Sequence, residues 1–309
     1  MIGNTVEIVD KEIEEFKRDA EAGDAGAQCR LGCCYERGTG VTVDKREAIK
    51  WYTRAAEGGY AGAQYNLGLC YEKGTGVTVD LREAVKWYTR AAEGGDSDAQ
   101  MKLGFCYAKG VTVDQREAVK WYMRAAEAGN ITAQFNLGIC YANGTGVTVD
   151  LREAVKWYTR AAEGGVSDAQ YNLCVCYYNG TGVTVDQPEA VKWYTRAAEA
   201  GNMNAQLNLG CCYRAGDGVA VDKRKAFTCY KRAADAGHSD AQHTLGLCYF
   251  KGDGIDVDKR EAIKWFTLAA KAGIANAQLC LGDIYKTGDG VAVDIQESKK
   301  WYAMAAVPR

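Results

Sequence analysis

Apolar residues recur along the chain with helical spacing. In residues 61–73, Ala63, Leu67, Cys70 and Tyr71 stand at positions i, i+4, i+7 and i+8, which is the stripe of an amphipathic helix. A second stripe follows and consists of Ala84, Trp87, Tyr88, Ala91 and Ala92. The two stripes predict a pair of helices, helix A and helix B, whose apolar faces pack together while Lys and Arg positions face water.

Turn and capping residues mark the ends of both helices. Gly74-Thr75-Gly76 follows helix A and supplies the residues that end a helix in a left-handed turn. Asp80 and Glu83 then form a capping pair at the start of helix B. Glycine-rich loops also bind phosphates, but such loops follow a strand and open directly into a helix, and neither feature is present. The loop is therefore interpreted as a helix end.

This helix pair is repeated eight times. The dipeptide Ala-Gln, followed by Leu three residues after the Gln and Tyr four residues after the Leu, begins at Ala27, Ala63, Ala99, Ala133, Ala169, Ala205, Ala241 and Ala277. The period is 36 residues, with one spacing of 34 residues. The shorter spacing removes two residues near Gly110, which shortens one A–B loop and predicts a local change in the regular course of the repeats. A fixed period in this range predicts a solenoid in which each unit buries its apolar faces against its neighbours.

Composition and charge narrow the function class. The 309 residues are 47% apolar and 25% charged, as in a folded protein, and the net charge of −2 offers no basic footprint for nucleic acid. No stretch reaches the roughly eighteen apolar residues of a membrane span. Residues 1–20 are charged where a signal peptide has its apolar run. We therefore expect a cytoplasmic protein that binds neither nucleic acid nor membrane.

The thirteen cysteines follow the repeat. Seven of them directly precede the repeat tyrosine: Cys34, Cys70, Cys106, Cys140, Cys176, Cys212 and Cys248. Neighbouring helices lie about 8–10 Å apart, whereas a disulfide requires Cα atoms within about 7 Å, so we expect small, buried, free thiols. Cys33-Cys34, Cys211-Cys212 and Cys174-Val-Cys176 leave metal or redox chemistry as an alternative. Because only His238 and His243 accompany them, we expect no metal site and no cofactor.

The residues AQYNLGLCYEKGTGV and EAVKWYTRAAEGG resemble the Sel-1-like repeat, a relative of the tetratricopeptide repeat, and the resemblance extends from Asp24 to Ala306. It implies an all-α fold, a right-handed α-solenoid of eight antiparallel helix pairs, that acts as a scaffold or adaptor for protein complexes and shares no catalytic residues. A cysteine-rich branch linked with β-lactam binding or hydrolysis is similar. Its cysteines lie in the AA-x-x-G region, where this chain has none, as at Ala91-Ala92.

By analogy with tetratricopeptide repeats, three columns of helix A look into the concave groove. The first column is Cys29, Tyr65, Met101, Phe135, Tyr171, Leu207, His243 and Leu279. The second is Cys33, Leu69, Phe105, Ile139, Val175, Cys211, Leu247 and Asp283. Between them run Arg30, Asn66, Lys102, Asn136, Asn172, Asn208 and Thr244. The columns either complete the packing between repeats or bind a partner peptide or helix between Tyr65 and His243, with aromatic anchors and asparagine clamps.

The two ends of the chain differ. Residues 1–23 are predicted to contain a lone B-like helix, from Ile8 to Ala22, that caps the first repeat, and residues 24–309 to form one continuous solenoid domain. The last helix B, around Trp301 and Met304, has no such cap, which leaves self-association through the C-terminal end open.

Three functions compete. The leading hypothesis is a non-catalytic scaffold that binds a protein or peptide. The alternatives are an enzyme, either a β-lactam hydrolase or one with a redox cysteine, and a host-contact or virulence factor. General acid–base chemistry requires a perturbed carboxylate or His in a pocket, whereas most carboxylates here are helix caps or lie on exposed faces, so we expect no catalysis.

Overall fold

The regular structure of the protein is helical. The computed structural model describes residues 13–110 and 113–306, and within them the chain forms seventeen helices. The first, α1, covers residues 13–21. The others are α2 (Ala25–Arg37), α3 (Lys45–Glu57), α4 (Ala61–Lys73), α5 (Leu81–Glu93), α6 (Ser97–Lys109), α7 (Gln115–Glu127), α8 (Ile131–Asn143), α9 (Leu151–Glu163), α10 (Ser167–Asn179), α11 (Gln187–Glu199), α12 (Met203–Ala215), α13 (Lys223–Asp235), α14 (Ser239–Lys251), α15 (Lys259–Lys271), α16 (Ala275–Thr287) and α17 (Ile295–Ala305).

The helices pack in chain order. The predicted A helices are the even-numbered helices from α2 to α16, and the predicted B helices are the odd-numbered ones from α3 to α17. The chain divides into two compact units, residues 1–157 and 158–309, with the boundary inside α9. In the first unit each helix from α2 to α7 contacts the next one, and in the second unit each helix from α10 to α16 does the same. The prediction of one continuous domain stays a prediction.

Each B helix begins at a capping aspartate, as predicted. The Asp80 carboxylate accepts hydrogen bonds from the backbone N–H groups of Arg82 and Glu83, at 2.9 and 3.1 Å. Asp222 caps α13 in the same way, accepting from the N–H of Lys225 at 2.9 Å, although this repeat lacks the glutamate. The aspartate side chain alone therefore satisfies these early N–H groups.

The two glycines of the A–B loop have different tasks. Gly74 ends α4 with φ +71° in the left-handed region, as predicted. Gly76 instead permits a close approach, because a Cβ there would lie 2.3 Å from the carbonyl oxygen of Lys45 in the preceding B helix. Gly110, which stands before the shortened loop, has φ −94° and ψ −150° and thus lacks the left-handed conformation of Gly74, while the predicted change in the course of the solenoid stays a prediction. Residues 111 and 112 lie outside the described part.

The alanine and tryptophan columns of helix B lie in the core. Ala91 and Ala92 are buried beside Ala99 and Leu103 of the next repeat. Trp51, Trp121, Trp157, Trp193 and Trp301 are at most 8% exposed, and Trp87 and Trp265 are half-buried, so the column packs between helices. The guanidinium of Arg90 lies 4.7 Å from the ring centroid of Trp87 and covers its outer side.

Helix α1 contacts the first repeat as a B helix does. Ile13 and Ala20 are buried, and Ala20 packs with Ala27, Leu31 and Trp51. The carbonyl oxygen of Ala20 accepts a hydrogen bond from the side-chain amide of Gln28 at 3.0 Å. Residues 8–12, the first part of the predicted capping helix, lie outside the described residues.

Candidate functional site

We call the residues of the three predicted columns, taken within each unit by itself, the A-helix face. Those from Tyr65 to His243 are half-buried, except for Phe105, which is 48% exposed. Apart from Phe105, the candidate binding residues are therefore neither buried in the core nor largely exposed. Their role in binding stays a prediction.

In the first unit, Lys102 of the polar column forms an ion pair with another residue of the protein. The Nζ of Lys102 lies 3.0 and 3.1 Å from the two carboxylate oxygens of Glu72, which also accepts a hydrogen bond from the hydroxyl of Tyr88. Burial opposes the charge on Glu72, but the hydrogen bonds from Tyr88 and Lys102 outweigh it and lower the pKa of this carboxyl. Lys102 is thus engaged in an ion pair.

The asparagines are also engaged in part. The side-chain amide of Asn208 lies 3.3 Å from the hydroxyl of Tyr171, and that of Asn66 lies 3.6 Å from the sulfur of Cys29. Each contact joins the A helices of two consecutive repeats. The side-chain amides of Asn208 and Asn66, which were predicted to clamp a partner, are therefore oriented by contacts with the neighbouring repeat.

The second unit contains a cavity of about 300 Å³ on this face. It is lined by Tyr171, Val175, Tyr178, Asn179, Tyr194, Asn208, Cys211 and Cys212. Three of these residues, Tyr171, Val175 and Asn208, were predicted as binding residues, and Cys211 belongs to the second predicted column. The structure brings them together with Tyr178, Asn179, Tyr194 and Cys212, which sequence reasoning missed as binding residues.

An exchange of glycine for cysteine distinguishes the repeat that contains the cavity. At Gly210 of the next repeat, a Cβ would lie 2.5 Å from the ring of Tyr230, so that ring rests directly against the helix backbone. The equivalent position here is Cys174, which is fully buried and donates its thiol hydrogen to the carbonyl of Gln170 at 2.8 Å. Tyr194, the counterpart of Tyr230, lines the cavity.

A second exchange in the same repeat shapes the wall of the cavity. Tyr178 stands where the first two repeats have Glu36 and Glu72. Its hydroxyl donates to the carboxylate of Asp217 at 2.8 Å, and this hydrogen bond, with burial, raises the pKa of Tyr178 to about 12. The residue at the position of Tyr178 varies among the repeats, so the sequence signal at this cavity is Cys174, which stands where the other repeats have glycine.

The chemistry of the cavity is uncharged. No lining residue is an Asp, Glu, Lys or Arg, and the groups it offers are phenol rings and hydroxyls, two amides and two thiols. Burial raises the pKa of the Cys212 thiol to about 11, so this thiol is protonated at neutral pH. Such a wall suits an apolar or aromatic group that also accepts or donates one hydrogen bond.

A comparison with models of protein families identifies the repeat. The model of the Sel1 repeat matches residues 25–60, 61–96, 97–130, 131–166, 167–202, 204–238, 239–274 and 275–306. The chain belongs to the Sel1 repeat family. The resemblance stated from the sequence is confirmed, and so is the all-helical solenoid fold of paired helices. Sel1 repeat proteins typically bind other proteins and are usually non-catalytic.

Two solved structures are similar to these Sel1 repeats. A protective antigen with an SLR fold from uropathogenic Escherichia coli strains is 37% identical, with a TM-score of 0.92, and the match covers 95% of this chain and 64% of that one. This chain therefore spans less than two thirds of the antigen. A Sel1 repeat protein from Oxalobacter formigenes is also 37% identical, with a TM-score of 0.72 and coverage of 90% and 82%. A search of the curated proteins found no match.

The shortened Sel1 repeat has a cavity of its own. About 180 Å³ in volume, it is lined by Glu72, Leu81, Ala84, Val85, Tyr88, Phe105, Cys106, Lys109 and Gly110. Leu81 is the first residue of α5, the B helix of the repeat before the shortened one, just as Lys45, against which Gly76 packs, is the first residue of α3. Leu81 is 46% exposed, and the Nζ of Lys109 lies 6.0 Å from the ring centroid of Phe105.

The described residues, 13–110 and 113–306, contain neither a metal-binding group nor a membrane-spanning helix. Among them there is no group of three or more His, Cys, Asp or Glu side chains that could hold a metal ion. In the same part of the chain, none of the helices has both the length and the apolar character needed to cross a membrane.

Proposed function

We propose that this Sel1 repeat protein is a non-catalytic adaptor that acts in the cytoplasm and binds a partner protein, through an extended peptide or a helix, on its A-helix face. The observation that carries the proposal is the uncharged cavity in residues 158–309, where three predicted binding residues meet. Family membership supports it, since Sel1 repeat proteins typically bind proteins.

The size and lining of the cavity favour a side chain of a partner as its occupant. About 300 Å³ is the lower limit of the volumes that small-molecule pockets have, so the cavity has room for one anchoring group. Tyr171 and Tyr194, whose ring centroids are 6.2 Å apart, offer two aromatic surfaces to such a group. Asn208 offers an amide that hydrogen-bonds a peptide backbone.

Peptide selection tests the proposal. Peptides are selected from a random display library on the full chain, and their affinity is measured by calorimetry for the wild type, Tyr171→Ala and Val175→Arg. We expect each variant to lose about tenfold or more in affinity, as anchoring residues of interfaces do. The control is Lys192→Ala, a 70% exposed side chain on α11 of the same unit, which should bind as the wild type does.

Two outcomes of the peptide selection would contradict the proposal. Unchanged circular dichroism of the variants shows that the fold is intact. Peptides that bind the wild type, Tyr171→Ala and Val175→Arg equally well, or a library that yields no binder at all, would exclude the cavity as the recognition site.

A second candidate function is an interaction factor that acts in contact with host cells. The observation that favours it is the 37% identity to the protective antigen of uropathogenic Escherichia coli. Such a factor would bind its partner with the same A-helix face, but at the cell surface and not in the cytoplasm. Antibody labelling of intact and of permeabilised cells separates the two, because the cytoplasmic adaptor is labelled only after permeabilisation.

Self-association through the last helix also stays a prediction. Ile295 and Met304 of α17 are 47% and 45% exposed. Exposed apolar side chains on one helix offer a surface for a second copy. Light scattering over a range of concentrations, with Met304→Glu as the variant, tests this contact.

A further inference from the structure

Two cysteines lie one helical turn apart in α2. Cys29 is buried and Cys33 is half-buried, and their spacing of four residues places both side chains on the same side of the helix. Four residues of α-helix separate their Cα atoms by about 6 Å, which lies within the range that a disulfide spans. The side-chain amide of Asn66 contacts both sulfurs, which places the two thiols beside each other.

Polar groups from two other helices point at the two sulfurs. The hydroxyl of Tyr52, on α3, lies 3.2 Å from the sulfur of Cys33. The side-chain amide of Asn66, on α4, lies 3.6 Å from the sulfur of Cys29 and 3.8 Å from that of Cys33. Hydrogen-bond donors around a sulfur stabilise its thiolate, which is the reactive form of cysteine.

The charge of the pair resides on Cys33. The neighbouring Cys29 thiol and the hydrogen bond from Tyr52 lower the pKa of Cys33 to about 6, while the neighbouring Cys33 and burial raise the pKa of Cys29. Arg37 favours the thiolate of Cys33. Glu36 disfavours it and also competes for the Tyr52 hydroxyl hydrogen, at 2.8 Å.

The repeats supply their own comparison. Cys211 occupies in α12 the position that Cys33 has in α2, and the hydroxyl of Tyr230 lies 3.6 Å from its sulfur. Leu207 stands there in the place of Cys29, so Cys211 has no second thiol one turn away. Cys34, the neighbour of Cys33 in sequence, is buried, and burial raises its pKa.

We propose that Cys29 and Cys33 form a peroxide-sensitive dithiol, in which Cys33 is the nucleophile and Cys29 the resolving thiol. The Cys33 thiolate attacks one oxygen of hydrogen peroxide, the O–O bond breaks, and hydroxide leaves and takes up a proton to become water. Cys33 is thereby oxidised to a sulfenic acid and the peroxide is reduced. The Cys29 thiol then displaces the sulfenic hydroxyl, which gives a Cys29–Cys33 disulfide and a second water.

The site is suited to reversible oxidation. Cβ atoms one turn apart are about 5–6 Å from each other, farther than the roughly 3.5–4.5 Å of a relaxed disulfide, so the bond closes only with a local shift of α2. Strained disulfides are the more easily reduced ones. Oxidation also removes the free thiol that Asn66 contacts and so alters the A-helix face at the first repeat.

Peptide mapping of the full chain tests the proposal. Trypsin cuts after Arg18, Arg30 and Arg37 and therefore separates Cys29, in residues 19–30, from Cys33, in residues 31–37. After brief exposure to hydrogen peroxide, the two peptides should appear joined, and a thiol reductant should separate them. In Cys29→Ser the link cannot form, and a sulfenic acid trap such as dimedone should label Cys33 instead.

Rates and controls decide the outcome. In Cys29→Ser, the dimedone label should reach Cys33 about tenfold faster than Cys211, since Cys33 retains a closer hydroxyl donor and the amide of Asn66. Tyr52→Phe should slow oxidation of Cys33 severalfold while circular dichroism stays unchanged, and Cys34→Ser should still give the joined peptides. Joined peptides that depend on Cys34, equal labelling of Cys33 and Cys211, or a Cys33 that peroxide leaves reduced would each overturn the proposal.

Discussion

The side-chain amide of Gln64 donates a hydrogen bond to the backbone carbonyl of Ala56 at 3.0 Å. Gln64 belongs to helix A of one repeat and Ala56 to helix B of the repeat before it. The last carbonyls of a helix have no partner within the helix, and the glutamine satisfies one of them across the repeat boundary. The same bond recurs between Gln100 and Ala92, and it explains the glutamine of the Ala-Gln signature.

Loss of this bond should destabilise the protein. Gln64 is 7% exposed, and Gln64→Ala removes one of the two hydrogen bonds that the Ala56 carbonyl accepts, the other coming from the N–H of Gly59 at 3.1 Å, so we expect a loss of about 0.5–1.5 kcal/mol. Urea unfolding measures the free energy. The matched control is Gln296→Ala, an exposed glutamine of α17, for which we expect a change within about 0.5 kcal/mol. Equal effects of the two substitutions would contradict a role for the bond.

The glycine of helix A should not tolerate a side chain. A Cβ at Gly68 would lie 2.6 Å from the ring of Tyr88, so Gly68→Ala should destabilise the protein by about 1–3 kcal/mol through overpacking. Helix propensity alone predicts the opposite sign, a gain of about 1 kcal/mol. Thermal unfolding distinguishes the two effects, since overpacking lowers the melting temperature of Gly68→Ala and a gain in helix propensity raises it.

The fifth repeat provides the control for this substitution. Cys174 already carries a side chain at the equivalent position, so Cys174→Ala should cost clearly less than Gly68→Ala. A larger loss in Cys174→Ala would show that the fifth repeat is packed like the others, contrary to the structure.

Stability should depend on the ionisation of Glu72. The hydrogen bonds from Tyr88 and Lys102 lower its pKa from the ordinary value of 4.5, so the charged form adds stability above that value, and this stability is lost as pH falls through the lowered pKa. In Glu72→Gln, the fall of the unfolding free energy on acidification should be smaller than in the wild type. Glu93→Gln, an exposed glutamate, should keep the steeper fall.

The adaptor proposal predicts no β-lactam hydrolysis. The larger cavity has no carboxylate, lysine or histidine in its lining to act as a general base, and its Cys212 thiol is protonated at neutral pH. The full chain should therefore hydrolyse nitrocefin no faster than buffer does, measured by absorbance. Turnover that disappears on substitution of a single cysteine would favour the enzyme alternative instead.

Much of the fold follows from sequence because its causes are local. The stripe of Ala63, Leu67 and Tyr71 requires a helix, Gly74 ends it and Asp80 begins the next one, each through contacts with residues a few positions away. The loss of two residues near Gly110 likewise predicted a changed loop. These local features recur in the repeats, so the sequence alone is enough to predict them.

The candidate site depends on contacts between repeats, which the sequence does not specify. Lys102 and Glu72, or Asn208 and Tyr171, are 30 and 37 residues apart, and their distances depend on how consecutive helix pairs pack. The sequence predicted columns of equivalent residues, and their role in binding a partner stays a prediction. Tertiary structure brings Tyr171, Val175 and Asn208 together around one cavity, and it places the amide of Asn66 beside the sulfurs of Cys29 and Cys33, because such contacts depend on how neighbouring helix pairs pack.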